Sequence, residues 1–314
     1  MPAAMPAESA KPTVPCAACA GQAHADEAVR PHHAPHNDQT YDLQRCPVCG
    51  LQFWWPLKAD PSVYETEGFE AYVDYHSGAR PFPRWSEPLF HSLNGSGTAL
   101  DIGCGDGAVL SRLAAAGFDP HGIDLDTKSV RVAREKFGLR NVTARTLDDY
   151  AAECARTGIR FDLITFFEVL EHQDSPRGFL SQVAALGNEG CSIAGSVPNR
   201  DRFLARLDRR LSDGDLPPHH FLWFSENSLA SLLTHAGFEE VSISKVGALP
   251  FSSIVTKLRA IVARKASSWP IQMRWVSKFL ELMTPLLAIV PWVGMRAAPS
   301  HLFFKCRTAT KSTA

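Results

Sequence analysis

Three glycines in five positions, Gly103, Gly105 and Gly107, follow an apolar run ending at Asp101–Ile102 in the stretch "ALDIGCGDGAVL", residues 99–110. No other feature limits the possible folds as strongly. "TALDI" reads as a buried strand and "AVLSRLAAAG" as an amphipathic helix, and glycines between them permit a tight strand-to-helix turn. Backbone N–H groups of such a loop can approach a ligand closely, and the helix N-terminus favours a negative group. Gly103-x-Gly105-x-x-Ala108 also satisfies the dinucleotide fingerprint, so the glycines alone leave an NAD-dependent oxidoreductase open.

The alternation continues. "PHGIDL", "NVTARTL", "FDLITFF" and "CSIAGSV" read as further buried strands, and "SVRVAREKFG" as a helix closed by glycine. Such βαβ units predict a doubly wound α/β sheet with helices on both faces. A helix "ENSLASLLTHAG" with Ser225 as N-cap follows, then the strand "FEEVSISKV". The domain expectation is a disordered leader 1–14, a cysteine-rich module 15–55, an aromatic connector 56–96 with short helices, and a core 97–250. A helical insertion 251–298 and a last strand 299–308 complete it. Asp124 closes "PHGIDL", and its two acceptor oxygens suit the two hydroxyls of a ribose. Asp126 better suits the N-cap of the next helix.

Taken in order, "LDIGCGDG", "GIDLD", "FDLITFFEVLEH" and "VPN" resemble the successive motifs of class I S-adenosylmethionine-dependent methyltransferases, over roughly Gly97 to Val246. The resemblance implies a Rossmann-like, mostly parallel sheet with an antiparallel last strand. It also implies methyl transfer to a small-molecule, glycan- or lipid-related acceptor, at oxygen or carbon. By it, Asp101, Gly103, Gly105 and Gly107 would hold the methionine part of S-adenosylmethionine. Asp124 would bind the ribose, Asp148 the adenine, and Phe167 and Glu168 would border the methyl group. "LGNEG" stands where the family usually has a Pro-Gly-Gly turn. A subunit that works only when docked on a partner, and a non-catalytic cofactor-binding scaffold, are the alternatives.

Methyl transfer needs nucleophile, carbon and sulfur in line, and a base where the acceptor is a hydroxyl or carbon acid. "DLPPHHFLWFS", residues 215–225, falls between the fifth strand and the next helix, and makes His219 and His220 the candidate bases. "EVLEH" spaces Glu168, Glu171 and His172 at i, i+3 and i+4, one face of a helical turn, where they could hold a divalent cation. That grouping is similar to the metal-binding motif of ubiquinone-biosynthesis O-methyltransferases. The other reading packs His172 beside the cofactor without metal.

Cys16-x-x-Cys19 and Cys46-x-x-Cys49 are the paired knuckles of a tetrahedral thiolate site, which makes zinc the expected metal and its role structural. His24, His32, His33 and His36 lie between the pairs, and one of them could replace a thiolate. The module resembles the zinc-ribbon-like N-termini, ending "C-x-x-C-G-L-x-F", of bacterial methyltransferases that act on small molecules and sugars. Eight cysteines, and an N-terminus without a basic segment before an apolar run, imply a reducing compartment, the cytoplasm.

The overall formal charge is -1, yet residues from Phe251 onward carry ten Lys/Arg and a single acid, Glu281. Basic residues mixed with Trp269, Trp275 and apolar positions suit peripheral contact with an anionic membrane surface. A lid over the substrate or a homodimer interface explains the same pattern. Nucleic acid is not expected as a partner, because no aromatic-interleaved basic stripe appears.

Overall fold

The computed structural model describes residues 13–35, 37–59, 75–78, 80–91, 93, 95–203, 205–206, 209, 213–248, 251–266 and 274–310. Most of the expected leader, much of the connector, His36 and Trp269 lie outside the described residues.

The central sheet grows from the glycine loop outward. Strand β6 (Gly97–Ile102) enters the loop and helix α2 (Ala108–Ala115) leaves it. Then follow β7 (Phe118–Asp124), α3 (Thr127–Phe137), β8 (Asn141–Ala144), α4 (Leu147–Thr157), β9 (Phe161–Phe167), α5 (Pro176–Leu186) and β10 (Gly187–Pro198). After α6 (Glu226–His235) and β12 (Glu239–Val246), three helices intervene among the described residues: α7 (Phe251–Ala266), α8 (Arg274–Leu287) and α9 (Ile289–Ala297). Only then does β13 (His301–Arg307) complete the sheet. The strand order is β12-β13-β10-β9-β6-β7-β8. Strands β6 to β10 run parallel, and β13 lies antiparallel between β10 and β12.

Apolar side chains of α4, α5 and α6 fill one face of the sheet. Those of α2, α3 and the short helix α1 (Glu87–His91) fill the other. Ser225 caps α6 through a reciprocal bond with Ser228, and Asp126 caps α3 by accepting from Lys128 and Ser129, both as the sequence predicts. β8 is shorter than expected, because Thr146 caps α4 and takes Leu147 into that helix. Gly195 sits where strands approach closely: a Cβ there would lie 2.1 Å from the carbonyl oxygen of Phe166.

The cysteine-rich module has little periodicity, yet it folds as short antiparallel strands: β1 (Val14–Pro15), β2 (Gln22–Ala25), β3 (His32–Ala34), β4 (Gln39–Arg45) and β5 (Gln52–Trp55). Its sheet takes a further strand from far along the chain, β11 (Leu222–Trp223), antiparallel to β5. Phe221 packs edge-on against Tyr41 at 5.8 Å, and Trp223 against Trp54 at 5.4 Å. The ribbon and the α/β sheet therefore share one continuous apolar core.

Candidate active site

At the C-terminal ends of β6, β7 and β9 lies a cavity of about 520 Å³, within the range of small-molecule sites. Gly103, Gly105, Asp124, Asp148, Phe167 and Glu168 all line it. Gly103 and Gly105 have φ of 72° and 53°, and a Cβ on either would come within 2.6 Å of Val169 or 2.7 Å of the Tyr75 ring. Asp124 is held by the loop it faces: Gly105 N donates to Oδ2 at 2.7 Å and Asp126 N to Oδ1 at 2.8 Å. Each oxygen keeps a lone pair for a further donor, which suits a diol. Asp148, in the first turn of α4, accepts from Gln182 of α5 and closes the far wall.

Two of the predicted residues stand behind the cavity. Asp101 is buried and accepts from Thr165 Oγ1 at 2.7 Å, and burial pushes its carboxyl up to about 7. An ammonium group arriving nearby would favour ionisation again. Gly107 is left-handed at the start of α2, where a Cβ would meet Leu139 and Ala133 at 2.7 and 2.8 Å. Its bareness lets α2 pack on α3.

The "EVLEH" segment does not form the single helical turn expected. Glu168 adopts φ 57° at the end of β9, and only Leu170–His172 make a 3-10 turn. Glu168 therefore turns away from Glu171 and bonds to Ser196 Oγ at 2.6 Å and His301 Nε2 at 3.2 Å. Burial alone would raise the Glu168 carboxyl, but His301 and Ser196 hold it below the usual range. The ligand atoms of Glu171, His172 and His220 instead lie within 4.8 Å of one another. The predicted grouping of Glu168, Glu171 and His172 is corrected in that respect: the strand end takes Glu168 out and the loop after β10 brings His220 in. Glu171 is fully buried, neither carboxyl oxygen has a hydrogen-bond partner, and burial pushes the group well above the ordinary range.

His172 lines the cavity and donates from Nδ1 to the carbonyl of His219 at 2.6 Å, and burial takes it down to about 3. His220 stands against it, ring centroids 4.8 Å apart, and donates from Nδ1 to Asp215 at 3.1 Å. Asp215 also accepts from Arg202 at 3.0 Å and Arg209 at 2.6 Å. Burial opposes its charge, yet His220 and the two guanidiniums hold the carboxyl well below its ordinary value. His219 contributes its backbone carbonyl at this point. Asp215, His301 and Tyr75 are positions of the candidate site that sequence reasoning missed. Asp215 had a signal in its five-residue spacing from His220, whereas His301 is brought in by strand pairing alone.

The loop bearing these histidines is fixed by the ribbon. Trp54 N donates to Phe221 O at 3.0 Å, and His32 Nε2 donates to Pro217 O at 2.9 Å. Behind β5 the four thiols converge, with Sγ–Sγ distances of 3.6 Å for Cys16–Cys49 and for Cys19–Cys46. A tetrahedral ion with Zn–S bonds of about 2.3 Å needs sulfur edges of roughly 3.8 Å, so donor type and spacing fit. The contact with Cys49 holds the Cys16 thiol below its ordinary range.

A family model described as a methyltransferase domain matches residues 75–243. The ubiquinone biosynthesis O-methyltransferase of Bordetella avium (strain 197N) is 34% identical over 168 residues, 49% of this chain and 67% of that protein. An enzyme of the same name from Cupriavidus pinatubonensis is 36% identical over 104 residues, 32% of this chain and 41% of that protein. The chain thus spans about two thirds of the first relative and less than half of the second. Phosphoethanolamine N-methyltransferase 2 of Haemonchus contortus, solved with S-adenosyl-L-methionine, superposes with a TM-score of 0.52 at 15% identity, over 82% of this chain and 62% of that one. At that identity the likeness is one of fold.

Proposed function

We propose that this chain, which belongs to the S-adenosylmethionine-dependent methyltransferases, methylates a hydroxyl oxygen of a small-molecule acceptor with His220 as the base. The observation that carries the reading is the Asp215–His220 pair, packed on His172 at the cofactor cavity. The relatives' name as O-methyltransferases supports oxygen over carbon.

The bound cofactor supplies an activated methyl group on a sulfonium. The loop at Gly103 and Gly105, with Asp101 behind it, would hold the amino-acid part. Asp124 would take the ribose hydroxyls, and Asp148 the adenine amino group. Phe167 and Glu168 would border the reacting carbon. Asp215 stays anionic beside Arg202 and Arg209 and accepts a hydrogen bond from His220 Nδ1–H, which leaves Nε2 as the basic nitrogen. The acceptor's hydroxyl proton would pass to that Nε2. His220→Ala should lower kcat by about 100-fold or more, as expected for loss of a general base, and leave cofactor binding unchanged. His219→Ala should cost less than about fivefold, since its backbone does the positioning. Wild-type turnover by His220→Ala would remove the base. The orphaned Glu171 carboxyl carries a second reading, in which Glu171, His172 and His220 hold a divalent cation that helps ionise the hydroxyl. Activity lost on chelation, while the cysteine site keeps its metal, would select it.

The four thiols would hold one structural zinc. No helix among the described residues is long and apolar enough to cross a membrane. Yet Trp275, Phe279, Leu282, Leu286, Val290 and Val293, spaced along α8 and α9, are all at least 53% exposed. With Lys278 and Arg296 exposed on the same two helices, this stripe suits an anionic membrane surface better than a second copy carrying the same charge. Co-sedimentation with anionic vesicles should exceed that with zwitterionic ones at least fivefold, and Leu282→Glu should abolish the difference. Concentration-dependent dimerisation without vesicle binding would assign the stripe to a second copy.

A further inference from the structure

A second cavity, about 1710 Å³, opens between the ribbon and the segment after β10 and shares no lining residue with the first. Six arginines line it: Arg30 and Arg45 from the ribbon, Arg200, Arg202, Arg206 and Arg209 from the opposite wall. Among the described residues, two carboxylates, Asp26 and Asp201, line it with them. This is a concentration of positive charge in the part of the chain that is otherwise acidic.

Arg200 is paired with Asp201 at 3.3 Å, Arg45 with Asp26, and Arg202 and Arg209 with Asp215, so the described contacts set three carboxylates against six guanidiniums. Asp26 accepts from Arg45 at 3.2 Å and also from Gln52 at 3.0 Å. Asp215, beneath the wall, is one carboxylate facing two guanidiniums and an imidazole. Several of the arginines are also held in place. Arg200 donates to the carbonyl of Gly50, beside the last cysteine, and Arg209 lies 3.7 Å over the Trp223 ring. Pre-placed guanidinium forks lose little freedom on binding an anion. A carboxylate satisfies one fork, whereas a phosphate or diphosphate offers oxygens to several at once. The volume exceeds what a bare phosphate fills, so the ligand has room for an organic part.

We propose that this cavity binds a phosphate or diphosphate group borne by an organic ligand. Asp215 is the shared neighbour of the arginine wall and His220, so the ligand the geometry favours is the acceptor itself, anchored here and reacting on the His220 side. That last link rests on the methyl-transfer reading; the anion site does not.

The test is calorimetric titration of the zinc-loaded full chain with inorganic pyrophosphate, inorganic phosphate and glucose 1-phosphate. Pyrophosphate should bind below millimolar concentration. Arg200→Gln and the exposed pair Arg30→Gln/Arg45→Gln should each weaken it at least tenfold, with S-adenosylhomocysteine affinity unchanged within twofold. Absence of pyrophosphate binding, or equal binding by all variants, overturns the site. Glucose 1-phosphate binding tenfold tighter than inorganic phosphate supports an organic ligand, and equal affinities overturn that part while keeping the anion site. Should S-adenosylhomocysteine fail to bind the wild type, the methyl-transfer reading fails and the pyrophosphate result still decides this one.

Discussion

Asp124→Ala should lose S-adenosylhomocysteine binding by about 100-fold or more, against an expected wild-type affinity in the micromolar range. Hydrogen bonds from neutral donors to a charged acceptor contribute about 1.5–3 kcal/mol each, and on the proposed reading two ribose hydroxyls would meet the carboxylate. The variant also removes the anchor of Gly105 N and Asp126 N, so the loop itself loosens. Asp124→Asn keeps the shape and one acceptor, and should fall between, near tenfold. Calorimetry on both variants, with melting curves to show an intact fold, measures the effect. An alanine variant within twofold of wild type would place the ribose elsewhere. NAD should not bind either protein, and heat released by NAD alone would revive the oxidoreductase reading of the glycine loop.

If the four thiols hold one zinc as proposed, Cys46→Ser should release it and lower both stability and turnover. Structural zinc in small modules contributes on the order of 10 kcal/mol to local folding, so the ribbon should melt before the sheet. The effect on catalysis comes through β11. That strand pairs with β5 directly after His219 and His220, and Phe221 and Trp223 complete the ribbon's aromatic core. With the ribbon unfolded, the Asp215–His220 pair loses its support. Turnover should drop about 100-fold while S-adenosylhomocysteine affinity changes less than fivefold, because no cysteine of the ribbon lines the cofactor cavity. Equal loss of both would mean general unfolding and no positioning role for the ribbon.

The parts of this molecule that follow local rules were legible in the sequence. The glycine loop, Asp124, the caps at Asp126 and Ser225, and the four-cysteine set depend on neighbours a few residues away or on a spacing typical of a thiolate metal site. The strands alternate with glycine-closed helices, so the doubly wound sheet followed. Readings failed where distant segments meet. A two-residue strand inside "HHFLWF" has no periodicity, and its partner β5 lies at the other end of the chain, so the joining of ribbon and catalytic loop left no local mark. The helical spacing of "EVLEH" misled because Glu168 belongs to the strand end and adopts a left-handed backbone, and its partner His301 arrives with β13. The arginine cavity was invisible for the same reason, since its two walls come from segments about 150 residues apart in the chain.

The placement of β13 has a consequence for how the protein is made. β12 has β13 as its one neighbour in the sheet, and β10 needs β13 on its open side. Residues 247–300, with their described helices α7, α8 and α9, must leave the ribosome between β12 and β13. At ~5–20 residues per second that is roughly 3–10 s with two strand edges unpaired. Unpaired edges are templates for wrong pairing between chains. Recombinant yield should therefore be governed by chaperone supply during synthesis rather than by the stability of the finished protein.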